Sequence, residues 1–200
     1  GFKKLHNTCE AYTSSTPYAV WRDLLREQME IARDAPDAEV EARLREAIAA
    51  KLPDVEPWLP LVAAALGLSV PPTPEVEMLA DKNRRAKLHE AVGRFLEAMM
   101  PGPAFIEIEN AHHMDEASTE LLTALAGTLA ARRWLFGVAR RPAPAGFTAP
   151  EAPGVTRIEL HPLAPQDALR MAQLATQGNP LPAHVVEGVA QRAGGNPQFL

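Results

Sequence analysis

Cysteine is almost missing from this 200-residue chain. Cys9 stands alone, which excludes an internal disulfide framework and any zinc site built from cysteines. The expectation that follows is a reducing, cytoplasmic compartment. Lysine is scarce as well, with only Lys3, Lys4, Lys51, Lys82 and Lys87, and the formal net charge is −5. Without a basic stripe, no direct nucleic-acid contact is expected. No apolar run reaches the length a bilayer span needs, so no membrane partner is expected either. The opening GFKKLHNTCEAY is polar within its first residues and has no Met, so it reads as neither a signal peptide nor a natural start. The chain is therefore expected to be a fragment. Internal repeats and low-complexity tracts are also absent. What remains is enough chain for one packed domain, or one domain and part of another.

Residues 2–9 read as a weak strand. TSSTPY (13–18) reads as a helix start, a Ser/Thr cap with Pro17 just inside. Val20, Trp21, Leu24, Leu25 and Met29 then recur at helical spacing, as do Val40, Leu44 and Ile48. A short apolar helix lies within 52–75, bounded by prolines, and PPTP (71–74) reads as an extended connector. A further helix covers 83–99, with Leu88, Val92, Phe95, Leu96 and Met99 inward. These helices make an insert over 17–100. The first convincing strand follows at 103–110, then a helix over 116–131, a strand at 134–140 and another at 155–160. Strand, helix and strand at these lengths predict crossovers in a parallel sheet. Two helices follow a boundary near 160/161.

The stretch FIEIENAHHMDEAS (105–118) concentrates polar chemistry and admits three readings. His112, His113, Asp115 and Glu116 are metal-ligand types, but adjacent side chains on a turning chain point apart, and the H-E-x-x-H spacing is absent. Asp115, just before EASTELLTALAGTLA, suits a helix cap. Glu109 and Asn110 sit at the carboxyl end of a strand, where parallel α/β sheets place their ligands. An acid there can support Mg²⁺ through water, and the next residue can orient an attacking water.

Read together, four stretches resemble the signal-transduction ATPases with numerous domains, a branch of the P-loop AAA+ class. The pattern is closest to the ATPase modules beside class III adenylate/guanylate cyclase domains and in LuxR-type bacterial regulators. The stretches are CEAYTSSTPYAVWRDLL, IEIENAHHMDEASTELL, Arg141-Pro142 and GNPQFL (195–200), in family order. The resemblance implies part of a three-layer αβα P-loop core with parallel strands over 1–160, and the start of a helical lid over 161–200. It makes Glu109 the Walker B acid that supports Mg²⁺. Asn110 stands where the family has a second carboxylate, and His113 where it has Trp. Arg141 corresponds to a γ-phosphate sensor, and Asn196 and Pro197 to the lid motif near the adenine.

The same resemblance implies ATP and Mg²⁺ as cofactors of the intact protein, neither held tightly by these 200 residues. ATP or ADP and the sensor and output domains of a larger chain would be the partners. One signature is missing. A phosphate loop needs G-x-x-x-x-G-K-[ST], and none of the five lysines follows a glycine. Without that loop and its strand, exposed sheet edges would favour association with a second copy. Asn110 cannot accept a proton at neutral pH, so weak or no hydrolysis is expected. A nucleotide-free interaction module and a metal-dependent hydrolase built on His112, His113 and Asp115 are the alternatives.

Overall fold

The computed structural model describes residues 2–200. The chain divides into two compact units, Gly1–Pro150 and Glu151–Leu200.

In the larger unit, alternating side chains build a three-stranded sheet. Strand β1 (Lys3–Thr8) turns Leu5 and Asn7 inward and leaves Lys4 and His6 exposed. Strand β2 (Ala104–Glu109) does the same with Ala104, Ile106 and Ile108. Strand β3 (Trp134–Val138) completes the sheet in the order β1-β2-β3, all parallel. The register pairs His6 with Glu107, Thr8 with Glu109, and Ile108 with Val138. Parallel neighbours cannot be joined by a tight turn, so helices must carry each connection.

Five helices lie between β1 and β2. Helix α1 (Ala19–Gln28) buries Val20, Trp21, Leu24 and Leu25 and packs against β1. The Trp21 ring meets Phe136 of β3 edge to face, with centroids 6.4 Å apart. Helix α2 (Asp37–Lys51) keeps an inner row of Val40, Leu44 and Ile48, four apart, and an outer face with the Arg45–Glu41 pair at 2.7 Å. Helix α3 (Leu59–Ala65) is buried along nearly its whole length. Helix α4 (Pro74–Met78) corrects the sequence reading of 71–74 as extended throughout. Pro74 is the first residue of a short helix, where a missing N–H costs nothing, and the Thr73 hydroxyl caps it. Helix α5 (Asp81–Met99) buries Leu88, Val92, Phe95 and Leu96 and packs against α1, α3 and α6. Helix α6 (Glu116–Ala126) connects β2 to β3. This is an α/β core with parallel strands, as expected.

The smaller unit holds α7 (Pro165–Ala175) and α8 (Ala183–Arg192), packed on each other. The strand expected at 155–160 does not form. That stretch is irregular, and Ile158 and Leu160 are 77% and 93% exposed. Alternation alone cannot make a strand without a neighbour to share its backbone hydrogen bonds, and 155–160 joins no sheet. Among the described residues, no helix is long and apolar enough to cross a membrane.

Candidate functional site

Glu109 is the last residue of the central strand, and its side chain is about half exposed. Its carbonyl accepts a hydrogen bond from the Cys9 N–H at 2.9 Å, so the ends of β1 and β2 are tied together. Asn110 follows with φ +53°, in the left-handed region. Asparagine tolerates that conformation better than most residues, so the turn accounts for an amide here without invoking catalysis. The chain then makes one 3-10 turn over Ala111–His113.

The turn is held from the β3 side. The Phe147 N–H donates to the Ala111 carbonyl at 2.9 Å, and the Phe147 side chain is buried. Gly146, at φ +77°, lets that approach happen, since a Cβ there would lie 2.2 Å from the Ala111 oxygen. Arg140 organises the same loop, donating to the carbonyls of Phe147 (2.7 Å) and Ala143 and to the Thr148 hydroxyl. Arg141, the expected phosphate sensor, is exposed at the carboxyl end of β3. Its backbone N–H donates to His112 Nδ1 at 3.4 Å. Desolvation, then His113, Arg141 and Arg140, hold His112 below the ordinary histidine range. Arg140 rather than Arg141 is thus the structural arginine of this loop.

Asp115 is buried and fully engaged. Oδ1 accepts from the Ser118 N–H at 2.9 Å and Oδ2 from the Ser118 hydroxyl at 2.6 Å, which caps α6 as its sequence position suggests. The same carboxylate accepts from the N–H groups of Tyr18 (3.0 Å) and Ala19 (3.2 Å) at the start of α1. The local Ser/Thr cap expected for that helix is not used. Tyr18, at φ +59°, precedes α1 with no side-chain cap of its own, and Pro17 lies outside the helix. A carboxylate distant in sequence supplies the cap instead. With four hydrogen bonds made, Asp115 is not free to ligate a metal beside His112 and His113. Those two rings lie against each other, centroids 4.1 Å apart.

Sequence reasoning missed the neighbours on β1. His6 Nδ1 lies 3.2 Å from Glu107 Oε2, and His6 Nε2 lies 3.9 Å from Glu109 Oε2. Lys4 Nζ pairs with Glu107 at 2.9 Å. Hydrogen bonds from Lys4 and then His6 hold the Glu107 carboxyl below its usual range. Alternation in KKLHNT and FIEIE hints at one polar face, but only the register joins the two. Cys9 has no such role. Burial, then Asp115 and Glu10, push its thiol up to about 11, so it is not a thiolate nucleophile at neutral pH.

Residues 2–136 match the family model described as AAA ATPase domain. The chain belongs to this family. No curated protein and no solved structure gave a match. For an AAA ATPase domain, the strand ends are the informative place. Glu109, Asn110 and Arg141 share the carboxyl end of the sheet, on neighbouring strands β2 and β3 or just beyond them. The exposed carboxylate of Glu109 suits a hard cation held through water. A phosphate cradle does not fit the residues in hand, because none of the lysines follows a glycine turn. Asn196 and Pro197 belong to the smaller unit. There the Asn196 side-chain Oδ1 accepts from the Gln198 N–H at 3.0 Å, and Pro197 opens a 3-10 turn. Gly195, at φ +78°, accepts through its carbonyl from the Leu163 N–H at 2.8 Å.

Proposed function

We propose that this chain is part of the ATP-binding regulatory module of a multidomain signalling protein, such as a cyclase or transcriptional regulator, working in the bacterial cytoplasm. The observation that carries the reading is the position of Glu109, on the central strand of an AAA ATPase domain and exposed at its carboxyl end. In this reading Glu109 holds Mg²⁺ through water, and bound Mg²⁺ offsets the charge of the ATP phosphates. Arg141 offers a cation to the terminal phosphate from the end of β3. Asn196 and Pro197 belong, in this reading, to the lid motif carried by the smaller unit. Asn110 orients water through its amide but takes no proton, so binding outlasts turnover. Nucleotide state then biases the lid and the attached output domain, and a second copy of the chain is a further partner.

The test uses the intact parent protein. Calorimetry with Mg²⁺ and ATP is expected to give micromolar affinity, with turnover that is slow and lost in Glu109→Gln. Asn110→Asp is expected to raise turnover by restoring a base. The 200 residues alone are expected to show little or no ATPase activity. Absence of nucleotide binding by the intact protein would favour a second reading, an interaction module that keeps the fold without the ligand. The left-handed turn at Asn110 supports that alternative, since it explains the amide structurally.

A further inference from the structure

We propose that His6, Glu107 and Glu109 form a binding site for one first-row divalent transition metal ion, with Zn²⁺ as the natural occupant. Each side chain offers one ligand atom, and these atoms lie within 4.8 Å of one another. They converge because the register pairs His6 with Glu107 and Thr8 with Glu109, while alternation sends all of them to the same sheet face. In the structure the imidazole already stands between the two carboxylates, 3.2 Å from one and 3.9 Å from the other. A cation between these groups would draw both acids inward. Small rotations of exposed side chains bring the ligands to the ~3.3 Å spacing required by a tetrahedral ion with ~2 Å bonds.

Two further features favour a ligand here. The three residues sit on paired strands, which fix their Cα positions far better than a loop would. The cluster is also open to solvent, with the His6 and Glu109 side chains about half exposed, which leaves water for the fourth coordination position. The Thr8 hydroxyl, 3.4 Å from His6 Nε2, lies at the edge of the same cluster. One imidazole and two carboxylates select Zn²⁺, Co²⁺ or Mn²⁺ over Mg²⁺, which prefers oxygen and water ligands. Lys4 opposes the ion, since its ammonium pairs with Glu107, and sets a moderate affinity.

The ligand set rests on side-chain geometry and needs no nucleotide; it shares Glu109 with the proposed Mg²⁺ role, so the two ions compete for that carboxylate. The test therefore contains no nucleotide. The 200-residue chain is titrated with Zn²⁺ by calorimetry and with Co²⁺ by visible absorption, with circular dichroism checking that each variant is folded. One equivalent is expected to bind with micromolar affinity. His6→Ala and Glu107→Gln are each expected to weaken it by about tenfold or more, while a His112→Ala, His113→Ala double variant leaves it unchanged. All substituted side chains are exposed or half-buried, so folded variants are expected. No saturable binding by the parent chain overturns the site. So does binding insensitive to His6→Ala, or binding abolished by the double histidine variant. Loss of ATP binding in the intact protein would leave these results untouched.

Discussion

The two faces of the sheet use the same strands for opposite purposes. Leu5, Ile106 and Ile108 are at most 1% exposed and lie in the core with Trp21, Phe95 and Leu121. One residue away along β1 and β2, His6, Glu107 and Glu109 form a polar cluster in solvent. A parallel sheet usually covers both faces and reads as continuous apolar sequence. Here β1 and β2 alternate instead, so stability and chemistry are separated by the pleat and not by distance along the chain. A substitution's effect should then depend on the parity of its position.

The largest expected contrast lies across β2. Ile106→Ala should lower stability by about 2–5 kcal/mol, because a buried side chain is lost and a cavity remains. Glu107→Ala, the next residue, should leave the denaturant midpoint unmoved. Equal shifts from the two in urea unfolding would break the comparison. Asp115→Ala comes next, with an expected loss of about 2–3 kcal/mol, since the N–H groups of Tyr18, Ala19 and Ser118 lose their acceptor together. Asp115→Asn should recover part of that loss, because an amide keeps one accepting oxygen. Thermal unfolding of the pair separates a double cap from a simple charge effect.

Gly146→Ala is expected to cost about 1–3 kcal/mol, through both the positive φ and the collision with the Ala111 carbonyl. Near-ultraviolet dichroism and unfolding midpoints would show whether the loop holds the turn after Glu109. The smallest effect is a pH dependence. Burial of His89 on α5 lowers its pKa below the ordinary value of 6.5. The unfolded chain then binds the proton more readily than the folded one. That contribution to stability is present above about pH 6.5 and is lost as pH falls through the lower folded pKa. His89→Leu should flatten this part of the stability profile relative to the parent, and an unchanged difference curve would count against it.

Much of this was legible in advance where local pattern and tertiary role agree. The inner rows of α2 and α5 follow from helical spacing, and β2 follows from four mostly apolar residues ending in an acid. Legibility ended where a partner was needed. VTRIEL has strand-like alternation, yet no neighbouring strand completes its hydrogen bonds, so it stays irregular. TSSTPY looks like its own helix cap, yet the carboxylate that caps α1 comes from Asp115. His6 looks like an exposed polar residue on a weak strand until register sets it against Glu107.

The sequence by itself determined the class of fold and the family, because periodicity and ordered short motifs are properties of the chain read in one dimension. It also placed Glu109 at a strand end and Asp115 at a helix start. Only the tertiary structure decided that Asp115 serves two helices, that Arg140 rather than Arg141 shapes the loop, and that His6 stands between two carboxylates. The physical reason is common to all three. Each depends on groups far apart in sequence meeting at hydrogen-bond or ion-pair range, and that is fixed by strand register and packing, not by any residue's own preference.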